Sequence, residues 1–401
     1  MRILVTTDQW FPDFRGGSAR VATDTARALA ARGHEVTVIA PKHPGQAAKT
    51  AAGSLTIRRE LPRGLVPRTF SDLLHVCRVS RSLSSNSFDI LLAHQPSNMV
   101  GLLAARLRAP IALVFHASVP RELRFFRANV PFGKDRIAAS VMTPPLAVLE
   151  RWAVRRATTI LVLSEFSRSL VEADHPEGAS KTHLVPGGVD ADAFSPGDGQ
   201  EPARRRLGLT SDDVILFTVR RLEPRMGLEP LLHAFSRISS SPGMRLAVAG
   251  SGMLEPQLRR LADELGIASR VDILGRVSDA ALCDWYRAAD LFVLPTVAYE
   301  GFGMATVEAL ASGTPVVGTA VGATPELLEP LDARLLASAA TPEALATAIS
   351  GALELVGPDF RARCREYALS RYAWTRAILP WEVELEETVT SWSRLPGGKR
   401  R

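Results

Sequence analysis

The sequence predicts an α/β protein made of two doubly wound units, each a parallel sheet with helices on both faces. Three observations carry this reading. Short apolar runs alternate with stretches of helical periodicity along the chain. A Pro- and Gly-bearing segment, Pro186-Gly-Gly-Val-Asp190 through Pro196, interrupts the alternation, which then restarts. The chain has 401 residues and is 46% hydrophobic, enough for two cores.

In the first half, Arg2-Ile-Leu-Val-Thr6 reads as a buried strand. Ser18 to Arg32 follows as a helix, with Val21, Thr25, Ala28 and Leu29 near one face and Gly33 placed to end it. Glu35–Ala40, Ile90–Ala93, Ile111–Phe115, Thr159–Leu163 and His183–Val185 read as further strands. After the linker, Val214–Val219, Arg245–Ala249, Val271–Leu274, Leu291–Leu294 and Pro315–Gly318 take that role. Glu255–Leu265 and Ala280–Ala289 are helical between them. The expected domains are 1–188 and 189–375, with a C-terminal helix over 376–395 joining the first. Such units present strand C-terminal ends to a cleft between them, where open α/β sheets place ligands. The acidic patch Glu382, Glu384, Glu386 and Glu387 reads as a solvated helix face.

Composition narrows the function classes. No apolar run reaches the roughly 18 residues of a membrane span, and the short apolar N-terminus reads as a strand rather than a leader. A cytoplasmic location is expected. Cys77, Cys283 and Cys364 form no metal or redox motif and are expected to be reduced thiols. The net charge is +6. Residues 1–190 hold 25 Lys and Arg against 15 Asp and Glu, and residues 191–401 hold 23 against 27. The positive excess belongs to the first half and suits an anionic acceptor or membrane surface. With no nucleic-acid motif beside it, nucleic acid is not expected as a partner.

The most informative segment is Tyr299-Glu-Gly-Phe-Gly-Met-Ala-Thr-Val-Glu-Ala-Leu-Ala-Ser-Gly-Thr-Pro-Val-Val317. A strand ends near Pro295, a Gly-containing turn follows, and a helix runs from about Gly303 to Ser312. Glycine lets the backbone approach a ligand closely, and a helix N-terminus offers unpaired N–H groups to an anion. Glu300 and Glu308, eight residues apart, can flank one ligand.

This segment resembles the E-x7-E signature of the retaining GT-B enzymes of glycosyltransferase family 4. Other segments fall in that family's order: Met1-Arg-Ile-Leu-Val with Gly16-Gly17, Val114-Phe-His116, Val162-Leu-Ser-Glu-Phe-Ser-Arg168, Val185-Pro-Gly-Gly-Val-Asp190, Val219-Arg-Arg-Leu222, Ala249-Gly-Ser-Gly252, Gly275-Arg-Val277 and Ala289-Asp290. The resemblance spans nearly the whole chain. It implies a GT-B fold of two Rossmann-like domains and a nucleotide-sugar donor, UDP more readily than GDP. It further implies that Glu308 binds the donor ribose and Glu300 lies beside the reacting sugar. The backbone N–H groups of Phe302, Gly303 and Met304 would hold sugar hydroxyls, those of Ala305 and Thr306 would approach the diphosphate, the backbone around Val277 would read the base, and Gly301 belongs to the same donor-binding segment. Gly16-Gly17 would cover the phosphates, and His116 would touch sugar or acceptor. Arg221 would bind the diphosphate. The family's lysine position is Met226 here, and Arg225, one residue earlier, is the candidate replacement.

No metal or other cofactor is expected, because arginines and a helix N-terminus can meet the charge on the leaving phosphate. A glycan, a lipid-linked glycan or a natural product could be the acceptor. Two alternatives stay open: another GT-B enzyme, such as a sugar phosphorylase or epimerase, and a non-catalytic binding protein. No lysine lies between Lys181 and Lys399, which disfavours a pyridoxal-dependent phosphorylase. The basic first half interleaves Arg58, Arg59, Arg63, Arg68, Arg78 and Arg81 with Leu73, Leu74 and Val76. It does the same with Arg121, Arg124, Arg127, Lys134 and Arg136 around Leu123, Phe125 and Phe126. This pattern suggests peripheral contact with the inner membrane face. Pro67 and Pro120 are expected to limit the helices there.

Overall fold

The computed structural model describes residues 1–13, 16–42, 45–60, 83, 87–104, 107–238 and 243–394. The chain divides into two compact units. The first comprises Met1–Arg124, Ile137–Gly188 and Trp374–Arg401, and the second comprises Phe125–Arg136 and Val189–Ala373. Residues 125–136, read from sequence as part of the first domain, thus group with the second unit.

The first unit holds β1 (Arg2–Thr6), β2 (Glu35–Pro41), β3 (Lys49–Ala52), β4 (Leu55–Glu60), β5 (Ile90–Ala93), β6 (Ile111–Val114), β7 (Thr159–Val162) and β8 (Thr182–Leu184). Their order across the sheet is β3-β4-β2-β1-β5-β6-β7-β8. The inner strands β5, β6 and β7 are buried along their whole length, which is why they read as unbroken apolar runs. Leu4, Leu91, Leu113, Phe115, Ile160 and Val162 pack against Met99, Leu102, Val154 and Val171 from the covering helices. The purely parallel expectation fails at one edge, where β3 pairs antiparallel with β4. All four β3 residues are exposed, so that strand carries no apolar signature.

The helix Trp374–Arg394 completes this unit. Trp381 is fully buried and donates its indole N–H to the Pro186 carbonyl at 2.9 Å. The acidic patch is therefore not simply a solvated face. Glu382 accepts from Arg32 and from His34, and Glu384 pairs with His183 at 2.8 Å. Glu382 flanks the buried stripe Ile378, Trp381 and Leu385, and this brings it against the unit. Glu386 and Glu387 are exposed as expected. Pro120 limits its helix at the start, as expected. It is the second residue of Val119–Asn129, where a missing N–H leaves no hydrogen bond unmade.

The second unit holds β9 (Val214–Val219), β10 (Met244–Ala249), β11 (Val271–Gly275), β12 (Leu291–Leu294), β13 (Val316–Thr319) and β14 (Leu336–Ala337). All pair in parallel, in the order β11-β10-β9-β12-β13-β14. Phe217 on β9 stacks on Trp285 at 5.5 Å and meets Tyr286 and Phe292 edge-on. The strand order reverses between β9 and β12, so the loops leaving these two strands splay apart. That point is where doubly wound sheets bind ligands.

Candidate active site

Both loops at the reversal carry charge. Arg220 directly follows β9, and its Nη2 donates to Glu300 Oε2 at 2.6 Å. Thr296, just past β12, donates its hydroxyl to the same oxygen at 2.9 Å. The side chains are only 7% and 13% exposed. Burial pushes the Glu300 carboxyl up, but the Arg220 charge and hydrogen bond, the Arg225 charge and the Thr296 hydroxyl together bring it below the usual range. Glu300 is thus a carboxylate at neutral pH. Its backbone is set by Tyr299, which sits in the left-handed region at φ 57°. It is also set by Gly322, where any Cβ would lie 2.3 Å from the Glu300 carbonyl oxygen.

Four residues on, Met304–Ala311 forms a helix capped by Gly303, whose φ of 95° favours glycine. Phe302, Gly303 and Met304 are buried, and Gly301 and Ala305 are partly exposed. The first turn holds no acidic residue to compete for its N–H groups. The Thr306 amide already bonds the Gly303 carbonyl at 2.9 Å, so it is not free for a phosphate. Its buried hydroxyl has no hydrogen-bond partner among the described residues and is what Thr306 has to offer. One oxygen of the buried Glu308 accepts from the Tyr286 hydroxyl at 2.9 Å.

Arg225 donates Nη1 to the Tyr299 carbonyl at 3.2 Å and adds its charge to the Glu300 surroundings. Met226 points inward at 5% exposure and cannot act as a ligand. Arg221 is half exposed and holds Glu223 at 3.0 Å. Val277 lies between β11 and the helix Asp279–Ala288, partly buried. Three residues that sequence reasoning passed over belong here: Arg220, Thr296 and Tyr286. Arg220 was hidden beside Arg221, to which the motif directed attention.

In the first unit, His116 follows β6 and its Nε2 lies 3.1 Å from Nδ1 of His94, which follows β5. The rings stack at 5.4 Å. Burial lowers His116 to about 4, and burial with the neighbouring ring holds His94 well below the usual imidazole range, so both are neutral at pH 7. His94, which no sequence motif singled out, and His116 both follow a buried strand. Beyond His116, the buried Glu150 carboxylate accepts from Ser118 Oγ at 2.9 Å, from the Val119 amide and from His175. Gly16 caps the helix Gly17–Ala31, and both glycines are exposed.

Cys364 is buried and its thiol is pushed up to about 12 by burial, whereas Cys77 lies outside the described residues. Among the described residues, no helix is long and apolar enough to cross a membrane.

The model for "Glycosyl transferases group 1" matches residues 199–371, and that for "Glycosyltransferase Family 4" matches residues 15–193. A D-inositol 3-phosphate glycosyltransferase of Mycolicibacterium smegmatis is 34% identical over 331 residues, covering 77% of this chain and 72% of that protein. The relative of the same description from Mycobacterium bovis is matched over 52% of its length. Sucrose-phosphate synthase from Thermosynechococcus elongatus superposes with a TM-score of 0.80 at 22% identity, covering 97% of this chain and 99% of that one. HepE of Anabaena, solved in complex with UDP and glucose, gives 0.70 at 19% identity, covering 98% and 100%. Two α/β units with parallel strand order and this set of likenesses give the GT-B fold, and the chain belongs to the family 4 glycosyltransferases of the glycosyl transferases group 1 class.

Proposed function

We propose that this glycosyltransferase is a retaining, metal-independent enzyme that takes a sugar from a nucleoside diphosphate sugar, UDP in preference to GDP. The observation that carries the reading is the ionised Glu300 at the strand reversal, followed by the helix that begins at Met304 and contains Glu308. Glu308 accepts the ribose hydroxyls, and Glu300 accepts from the donor sugar. The amides at Gly303, Met304 and Ala305 face the sugar and diphosphate, and the backbone near Val277 reads the base. Arg225 and Arg221 oppose the charge that grows on the leaving phosphate. The half-exposed Arg221 can leave its Glu223 partner cheaply, since surface pairs contribute only about 0–1 kcal/mol. Neutral His116 contacts the sugar or acceptor, and Gly16-Gly17 lies over the phosphates. The acceptor hydroxyl attacks on the face the phosphate leaves, and the phosphate takes its proton.

The UDP preference is supported by the likeness to HepE, solved with UDP. The basic first half and the D-inositol 3-phosphate relatives favour an acceptor that carries a phosphate, whether small or lipid-linked. The test is nucleotide release from a panel of UDP- and GDP-sugars, with and without inositol phosphate and glycan acceptors, in EDTA. Acceptor-dependent release of UDP that survives EDTA is expected. Glu300→Ala should lower turnover more than donor affinity. Release only from GDP-sugars, a rate abolished by EDTA, or wild-type kinetics in Glu300→Ala would each overturn the corresponding part.

A second element of the proposal is peripheral contact with anionic membrane. Two of the basic residues first considered do not serve it, because Arg59 is buried beside Asp13 and Arg121 grips Asp174; Arg63, Arg68, Arg78 and Arg81 with Leu73, Leu74, Val76 and Pro67 lie outside the described residues. The supporting surface is the helix Lys134–Arg156. Ile137, Val141 and Val148 recur on one of its faces and are 50%, 66% and 71% exposed, with Lys134 and Arg136 just before them. Co-sedimentation with phosphatidylglycerol vesicles at low salt, lost in Val141→Asp, is expected. Equal sedimentation of the variant would remove this surface from the reading.

A further inference from the structure

We propose that Arg220 is a positioning residue of the donor site: it fixes Glu300 as a carboxylate in one orientation, with one oxygen committed to the protein and the other left for the ligand. The inference rests on the reading of Glu300 given above and deepens it.

Its basis is geometric. Arg220 and Thr296 converge on the single oxygen Oε2, from the ends of β9 and β12. No described residue hydrogen-bonds the other oxygen, Oε1. The Arg220 backbone is locked by Gly250, at φ 125°, where a Cβ would fall 1.8 Å from the Arg220 carbonyl oxygen. Both side chains of the ion pair are largely withdrawn from water, and such a pair rarely repays its desolvation in stability. Arg220 Nη1 is also buried without a partner among the described residues, so the guanidinium is not placed for the best folding energy. A pair that contributes little to stability yet sets one carboxylate beside a ligand site is explained by what it does to that carboxylate.

The groups facing Glu300 are Arg220 from the end of β9, Arg225 from the turn Pro224–Met226, and Thr296 after β12. The Ala323 amide holds its backbone. With Arg220 gone, burial acts on the carboxyl with one charge fewer to oppose it. Its protonation should move to higher pH.

The experiment compares wild type, Arg220→Gln and Arg220→Lys, each first shown to melt cooperatively. Glutamate side chains are labelled with 13C at Cδ, and the Glu300 resonance is assigned by its loss in Glu300→Gln. In wild type its midpoint should lie below the ordinary carboxyl range, in Arg220→Gln it should rise by about one pH unit or more, and Arg220→Lys should lie between. A second readout is the rate of nucleotide release from UDP-glucose. Arg220→Gln should lose roughly tenfold or more in kcat with little change in KM, most severely at acid pH, and Arg220→Lys should recover the pH profile but not the full rate. An unmoved Glu300 resonance in Arg220→Gln overturns the proposal. So does a rate loss equal at every pH and equal in Arg220→Lys, which marks a merely structural arginine. If wild type neither binds nor turns over UDP-glucose, the donor reading is what fails, and the resonance still decides the role of Arg220.

Discussion

Glu308 is held from outside its own helix: the Tyr286 hydroxyl, on Asp279–Ala288, reaches it at 2.9 Å through a core of Phe194, Phe217 and Phe292. Removing the carboxylate should cost donor binding roughly 1.5–3 kcal/mol, the scale of a hydrogen bond to a charged group. Tyr286→Phe keeps the ring and deletes only the hydroxyl, so it should weaken UDP binding by a smaller factor, about three- to tenfold. Calorimetric titration with UDP checks both, and an unchanged affinity in Tyr286→Phe would reduce Tyr286 to packing. The histidine pair makes a different prediction. Both folded-state values lie below the ordinary value of about 6.5, so between pH 6.5 and about 4 the unfolded chain binds more protons than the folded one. Stability contributed by the neutral pair is whole above pH 6.5 and is lost as pH falls through that window. The melting temperature should therefore drop from pH 7 to pH 5, and less steeply in His94→Gln/His116→Gln. At this scale, Glu300 and Glu308 were legible because they share one short segment with its glycines. Arg220 was not, because its partner is 80 residues away and only the sheet order brings them together.

Among the elements, buried strands were the easiest to read, since each inner strand is an apolar run with both faces covered. Leu291–Leu294 and Ile90–Ala93 match their runs residue for residue. The exposed β3 and the two-residue β14 have no such run, and pairing alone defines them. Proline does not bound every helix. Lys134–Arg156 continues through Pro144 and Pro145, both exposed, although internal proline ordinarily interrupts a helix. The turn before the helix Thr324–Leu328 yields the element-scale prediction. Gly322 has φ 63° and touches the Glu300 backbone, so Gly322→Ala must both strain its own turn and push the Glu300 turn away. Turnover should fall roughly tenfold or more, with a loss of about 1–3 kcal/mol in stability. Steady-state kinetics beside a melting curve would show it, and normal turnover would mean that the Glu300 turn tolerates displacement.

Across the whole molecule, the chain leaves the first unit after Gly188 and re-enters it at Trp374. The crossings run side by side, with the Val189 amide on the Tyr372 carbonyl at 2.7 Å. Trp381→Ala empties a fully buried site of the largest side chain and should cost the first unit about 3–5 kcal/mol. Scanning calorimetry should show one transition moving down while that of the second unit stays. Equal movement of both would mean that the units melt as one. The same threading also orders events in time. During synthesis the second unit has all its residues once Ala373 has emerged, whereas the first, begun hundreds of residues earlier, still lacks its last helix. Until Trp374–Arg394 appears, the surface that receives Trp381 stays open, so the half of the protein made first is the half that finishes folding last.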